Sequence, residues 1–225
     1  MAINLSKGQK IDLTKETGEK LTNFCVGVNW GAIETTTKGI FGSKKIIEDV
    51  DLDLSCIMTD GSGNLVDHIY SPDYNGFLQR NNLPLGKLTS IDGSLRHSGD
   101  DRQGDQGGDD GLDNEIITVD LNKVNSRIEK IFFFINIYLN QGQNFDFSHI
   151  PYAKIRMYEG SSTKVNKVFS NYDITTDSTC ANKRALILGK LYKRNGDWKF
   201  DAIGDPTEDR IFLETIQLII EKYAK

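Results

Sequence analysis

Alternation of apolar and polar residues at every second position is the feature of this 225-residue chain that most restricts its fold. Phe24, Val26, Val28 and Trp30 follow one another at period two. Successive side chains of a β-strand point to opposite faces of a sheet, so this spacing predicts strands that bury one face. A helical period is absent from the first sixty residues.

The remaining strand signals extend along most of the chain. Lys130–Tyr138 is apolar on both faces, which predicts a central strand, and Asn195-Gly196 predicts a hairpin turn. Residues 34–45 are rich in Thr, Lys and Gly and predict a loop. Further strands are predicted at 3–5, 11–13, 50–55, 56–58, 65–66, 116–119, 153–158, 185–192 and 198–203. We therefore expect an all-β fold, a β-sandwich of two mainly antiparallel sheets with long ligand-binding loops and a C-terminal α-helix.

The C-terminal segment changes to a helical period. Asp205 is a suitable N-cap, Pro206 suits the first helical position, and Glu208 follows three residues after the cap. We expect one domain over residues 1–204 and an amphipathic helix over 205–225 that packs on the same domain. The apolar face of that helix is predicted to contain Phe212, Ile216, Ile219, Ile220 and Tyr223.

Negative charge is concentrated in one segment. The stretch from His97 to Glu115 holds seven acidic residues and one arginine, a formal charge of −6 in a chain whose total is −5. The remainder is therefore nearly neutral. A nucleic-acid-binding protein would carry a basic stripe, so we expect no nucleic-acid partner.

The chain lacks a long apolar run and a basic patch followed by an apolar stretch at its start, so we expect no membrane span and a cytoplasmic location. Cys25, Cys56 and Cys180 are odd in number and widely spaced. This spacing favours buried apolar thiols over a disulfide framework or a zinc site.

The acidic segment has the composition of a calcium loop. Calcium binds six to eight oxygen atoms, and the run Ser98–Gly111 combines carboxylates with glycines that allow the backbone to fold tightly. The spacing is not that of an EF-hand, no phosphate loop favours magnesium, and His97 is the only nearby nitrogen ligand for a transition metal. Asp51 and Asp53 share one strand face, and Asn81-Asn82 offers amide oxygens for the same cup. The alternative is a solvated acidic surface loop.

Several motifs, in order from Ile3 to about Gly204, are similar to those of the TerD-type tellurium-resistance and stress-response family. They are I3-N-L-S-K-G-Q-K-I-D-L-T-K, V26-G-V-N-W30, D51-L-D-L-S55, N81-N82, R96-H-S-G-D-D101, G108-D-D110, E115-I-I, L188-G-K-L-Y192 and W198-K-F-D-A-I-G204. The resemblance implies a cytoplasmic β-sandwich that binds calcium through its acidic loop and the adjoining strand, with no established catalytic activity.

The family pattern implies specific metal ligands. They are Asp51, Asp53, Asn81, Asp100, Asp101, Asp105, Asp109, Asp110 and Glu115. This chain departs from the pattern at Asp101, where the family usually has asparagine. Four residues, 111–114, also separate Gly-Asp-Asp from Glu115, so either Glu115 or Asp113 is the family's glutamate.

The leading functional hypothesis is a calcium-binding stress-response protein that acts through protein partners and not by catalysis. His68, His97 and His149 are isolated, and neither a nucleophile elbow nor a zinc-protease motif is present. The alternative is a metal-dependent hydrolase that uses the acidic loop. Thiol chemistry on tellurite is a third hypothesis, without an activating cation beside any of the cysteines.

Overall fold

Two six-stranded sheets pack face to face in the computed structural model, which describes residues 2–15, 17–39, 42–140 and 142–225. In spatial order the first sheet contains β1 (Ile3–Asn4), β12 (Lys164–Asp173), β11 (Ala153–Ser161), β3 (Asn23–Trp30), β9 (Glu115–Asp120) and β8 (Leu95–His97). The second contains β2 (Lys10–Asp12), β14 (Asp197–Thr207), β13 (Ala185–Arg194), β10 (Lys130–Tyr138), β6 (Asp51–Thr59) and β7 (Leu65–Ile69). All these neighbours are antiparallel except β1 and β12. The predicted β-sandwich is confirmed.

The central strand β10 is covered on both faces, by the first sheet on one side and by a second apolar cluster on the other. Phe133 and Ile135 point into the core between the two sheets, whereas Phe132 and Phe134 belong to a second apolar cluster on the outer face. Each of these four side chains is fully buried. Because successive residues of a strand face opposite sides, only a strand that is covered on both faces can carry such a run.

The outer apolar cluster is covered by the C-terminal helix, which begins later than predicted. Helix α2 spans Phe212–Leu218 and continues as a π-helical turn over Ile219–Tyr223. Asp205 and Pro206 instead lie in β14, opposite Ile187 and Leu186 of β13. The predicted start at Asp205 is therefore wrong.

Strand pairing overrode the local capping signal. The neighbouring strand β2 pairs only with Lys199–Asp201 of β14, so the missing N–H of Pro206 interrupts no ladder on that side. The Asp205 carboxylate accepts hydrogen bonds from Lys7, Lys222 and Tyr223 instead of capping a helix.

The segment 34–45 was predicted to be a loop, and this is also wrong. Strands β4 (Ile33–Gly39) and β5 (Gly42–Glu48) form a separate two-stranded antiparallel sheet. Its described side chains are mostly exposed, which is why no alternation of core residues marked it. Residues 40 and 41 of this segment lie outside the described residues.

The predicted turn at Asn195-Gly196 is confirmed. Both residues have positive φ, 54° and 82°, as a type I′ hairpin turn requires. The long connection between β7 and β9 contains a 3₁₀ turn (Pro72–Tyr74), helix α1 (Asn75–Arg80) and strand β8. Within the described ranges, no helix has both the length and the apolar character needed to cross a bilayer.

Candidate metal centre

Six of the predicted ligands gather in two groups of three carboxylates. The first cluster consists of Asp51, Asp53 and Asp100, each of which offers an oxygen atom within 4.8 Å of the other two. The second cluster meets the same limit and consists of Asp105, Asp109 and Asp110. The first cluster combines a strand with a loop that is distant in the sequence, so the fold creates it, whereas the second lies within one loop.

Strand β6 places the two buried members of the first cluster. Leu52 and Leu54 point into the core between the sheets, and the strand's alternation turns Asp51 and Asp53 to the opposite face. Strand β7 pairs with β6 only from Cys56 onward, so a loop can approach the earlier half of β6. The loop after β8 brings Asp100 there.

The first cluster lies in a cleft of about 420 Å³. Besides the three aspartates, the cleft is lined by Asp73, Tyr74, Arg102, Tyr138 and Asn140. The Tyr74 hydroxyl donates a hydrogen bond to Asp53, and the Tyr74 ring packs 4.1 Å from the ring of Phe212 in α2, centroid to centroid. The cleft therefore lies between strand β6 and the acidic loop, and Tyr74 connects it to the C-terminal helix.

Burial and mutual repulsion make the carboxylates of the first cluster reluctant to ionise. Burial, together with the charges of Asp100 and Glu115, raises the pKa of Asp51 to about 7. Burial also raises the pKa of Asp53 well above its ordinary value, and the charge of Asp51 adds to this effect. The Oδ1 atom of Asp51 is buried without a hydrogen-bond partner.

These observations fit a cation with oxygen ligands. An unpartnered buried carboxylate oxygen is costly unless something compensates it, and three converging carboxylates repel one another. A divalent cation would satisfy the free oxygen and neutralise two charges at once. The residues present thus suit the type of metal ion that the resemblance implied.

Glu115 has a different role from the aspartates, because its oxygens already bind the backbone. It accepts hydrogen bonds from the N–H of Leu54 at 2.6 Å and from the N–H of Asp101 at 3.2 Å. Glu115 therefore fastens the acidic loop to β6. The Nδ1 atom of His97 accepts from the N–H of Gly99, so its Nε2 carries the proton and lies 3.3 Å from Glu115.

Asp101 shapes the loop that carries Asp100. Its Oδ1 atom accepts hydrogen bonds from the backbone N–H groups of Gln103 and Gly104, and its Oδ2 accepts from the amide of Asn114. Asp101 and Glu115 thus connect the two clusters and belong to neither. Asn81 lies apart from both: its side chain is exposed, and its amide donates to the carbonyl of Phe77.

The second cluster is more open and is centred on Asp105. This carboxylate accepts hydrogen bonds from the amides of Asn29 and Asn114 and from the hydroxyl of Tyr152. Asp109 is 3.4 Å from the ammonium group of Lys154. The backbone of Asp105 pairs with Trp30 and Ala32, which anchors the loop beside strand β3.

Asp113, the alternative to Glu115, belongs to neither cluster. Its buried side chain forms an ion pair with Arg156 at 2.8 Å and lies against the backbone of Gly27. A Cβ atom at residue 27 would stand 2.2 Å from Asp113 Oδ2. This contact explains why strand β3 has a glycine at that position.

Replacing Gly27 with alanine is expected to lower the free energy of unfolding by about 1–3 kcal/mol, because a methyl group would force the Asp113 carboxylate away from a closely packed position. Urea unfolding of the purified variant measures this loss. Gly61→Ala is the matched control, since its new methyl group would be 3.8 Å from the nearest atom, in Glu129. Equal stability of the two variants would contradict the proposed contact.

Sequence reasoning missed several polar residues around the clusters. Tyr74, Asp73 and Asn140 lie in irregular or terminal segments, where no periodic signal marks a role. Asn29 and Asn114 were hidden for another reason: an asparagine within or beside a strand has no characteristic spacing. Their positions follow from the way the sheets bring distant segments together.

The fold and the two carboxylate clusters define a β-sandwich protein whose loop and adjoining strand are suited to bind cations. A family model described as the TerD domain matches residues 1–217. The chain belongs to the TerD family.

Individual relatives agree with this assignment. The chain is 33% identical over 205 residues to the tellurium resistance protein TerD of Serratia marcescens, covering 91% of this chain and 90% of that protein. It is 33% identical over 227 residues to the stress response protein SCP2 of Bacillus subtilis, covering 100% of both. A crystal structure of a homologue of telluride resistance protein TerD from Streptomyces coelicolor superposes with a TM-score of 0.61 at 13% identity, covering 91% of this chain and 98% of that one. At this identity the likeness concerns the fold alone.

Proposed function

We propose that this protein is a calcium-binding stress-response protein of the tellurium-resistance type, which acts in the cytoplasm by binding protein partners and not by catalysis. The observation that carries the calcium proposal is the buried first cluster, where the Oδ1 atom of Asp51 lacks a partner and two further carboxylates converge on it. The family's relatives supply the stress-response part of the proposal.

Calcium suits the first cluster better than magnesium does. Calcium accepts six to eight oxygen ligands in a flexible shell, whereas magnesium requires near-ideal octahedral geometry and usually keeps several waters. Three carboxylates, the side chain of Asn140 and backbone carbonyls of a glycine-rich loop offer enough oxygen atoms. Transition metals prefer imidazole or thiolate, and the ring of His97 is already held by Gly99 and Glu115.

A binding role is also supported by the way the reactive side chains are used. His68 bonds to the carbonyl of Leu85, and His149 completes a capping box with Asp146. Burial raises the pKa of the Cys25, Cys56 and Cys180 thiols, which disfavours the thiolate that a reaction with tellurite would need.

Calcium is expected to raise the melting temperature, because an ion that binds only the folded state stabilises it by mass action. At a concentration one hundred times the dissociation constant, the gain is about 2.7 kcal/mol. Thermal melts in chelator, in calcium and in an equal concentration of magnesium test this, together with calorimetric titration. A melting temperature that is indifferent to millimolar calcium would contradict the proposal.

The same preparation tests the hydrolase alternative. Phosphate and glycoside model substrates would be incubated with the calcium-loaded protein and with its Asp53→Asn variant. We expect no turnover by either protein. Hydrolysis that requires both the metal and Asp53 would replace the binding role with the metal-dependent hydrolase.

A further inference from the structure

The guanidinium group of Arg102 contacts the first cluster. Its Nε atom donates a hydrogen bond to Asp100 Oδ2 at 3.0 Å, and its Nη2 atom donates to Asp73. Arg102 lines the same cleft as Asp51 and Asp53. One member of the first cluster is thus already paired with a positive charge that belongs to the chain.

The position of Arg102 allows this pairing to be reversible. The side chain of Arg102 is 64% exposed, whereas that of its partner Asp100 is 17% exposed. Because water reaches the guanidinium side of this ion pair, its contribution to stability is modest, and the contact can break at a modest cost. The loop backbone around Arg102 is fixed by the hydrogen bonds from Gln103 and Gly104 to Asp101. The side chain can therefore move away without moving the loop.

The charges favour such a movement when a divalent ion enters. Calcium would compete for the carboxylate of Asp100, whose Oδ2 atom is engaged by Arg102. A guanidinium so close to the ligands also repels a second cation. Asp73, which accepts from the Nη2 atom of the same guanidinium, remains as a partner for Arg102 after the contact with Asp100 breaks.

We propose that Arg102 is a tethered counter-cation: it pairs with Asp100 when calcium is absent and leaves Asp100 when calcium binds. The competition lowers calcium affinity and so sets the concentration at which the first cluster fills. This inference rests on the proposed calcium-binding function and adds to it the residue that tunes the site.

Calorimetric titration of calcium into Arg102→Gln tests the competition. We expect up to about fivefold tighter binding at the first cluster, since the competing ion pair of an exposed arginine is lost. Arg102→Lys keeps the charge but loses the planar group that donates to both Asp100 and Asp73. Its calcium affinity should lie between those of Arg102→Gln and the wild type. Arg194→Gln is the control: it makes the same charge change at the end of β13 that is farther from Asp53. Its calcium affinity should stay within about twofold of the wild-type value.

Two further readouts separate competition from a merely structural role. Without calcium, Arg102→Gln should melt at a slightly lower temperature than the wild type, yet gain more on calcium addition. In the wild type, the Arg102 Nε–H resonance should shift as calcium is added, which reports loss of the bond to Asp100. This resonance is assigned by its absence from the Arg102→Gln spectrum.

The outcomes distinguish this inference from the proposed function. If the wild type binds calcium but Arg102→Gln binds it equally or more weakly, Arg102 does not compete with calcium. The inference is then wrong, while the proposed calcium binding stands. If neither wild type nor any variant binds calcium, the proposed function fails and the inference fails with it.

Discussion

Asp53→Asn is expected to weaken calcium binding at the first cluster strongly while increasing the stability of the calcium-free protein. Asparagine has the same shape but no charge, and Asp53 is 4% exposed. Losing one partner of a buried charge interaction reduces calcium affinity by roughly a hundredfold. Without calcium, the substitution removes a buried carboxylate that repels Asp51, so the calcium-free variant should melt at a higher temperature than the wild type.

Thermal melts and calorimetry together check both parts. Asp12→Asn is the matched control, because it makes the same change to an exposed carboxylate on the edge strand β2. Asp109→Asn, in the second cluster, tests whether that cluster holds an ion of its own: a variant that binds one ion fewer than the wild type would show that it does. A calcium affinity for Asp53→Asn equal to that of Asp12→Asn would show that β6 contributes nothing to the site.

The sequence predicted the strands correctly where buried residues recur in a regular apolar pattern. The strands β3, β6, β10 and β13 each carry an alternating or continuous apolar pattern, and all were predicted. The β4–β5 hairpin was missed because its side chains are mostly exposed, so its sequence shows no alternation of apolar and polar residues. The helix start at Asp205 was mistaken because a local capping signal lost to pairing with β13.

The site divides in the same way. Asp51 and Asp53 were predicted as a pair because strand alternation alone puts them on one face, and the acidic loop was conspicuous by its charge. The sequence does not show which residues contact the first cluster directly and which hold the acidic loop in place. That Glu115 binds the backbone of Leu54, or that Tyr74 reaches Asp53, depends on how the loop folds over the sheet.

The pairing of Arg102 with Asp73 illustrates the same limit. In the sequence Arg102 is one basic residue among seven acidic ones, and its partner Asp100 is only two residues away. Its second partner, Asp73, is 29 residues away, and this contact requires the 3₁₀ turn Pro72–Tyr74 to lie beside the acidic loop. Long polar side chains on loops acquire their roles from tertiary structure.

Asp51→Asn is expected to stabilise the calcium-free protein more strongly as the pH rises from 4 to 7. The pKa of Asp51 is raised from an ordinary value of 3.8 to about 7 in the folded protein. The folded state therefore holds a proton that the unfolded state has released in this range. The stability that this proton contributes is fully present below the ordinary pKa and is lost as the pH rises through the folded one.

His97 acts in the opposite direction, so the comparison between variant and wild type is the informative quantity. Burial lowers the pKa of His97 to about 4, and the neutral ring destabilises the folded protein as the solution is acidified below its ordinary value of 6.5. Because both proteins retain His97, its contribution cancels in the difference of their unfolding free energies.

That difference should grow to at most about 4 kcal/mol near pH 7, at about 1.4 kcal/mol for each pH unit between the two pKa values. Urea unfolding in chelator at half-unit pH intervals measures it, with Asp12→Asn as the reference for a carboxylate outside the clusters. Calcium should narrow the difference, because the wild type then gains binding energy that Asp51→Asn loses. A constant difference between Asp51→Asn and wild type across this range would contradict the buried, repulsive setting in which the structure places Asp51.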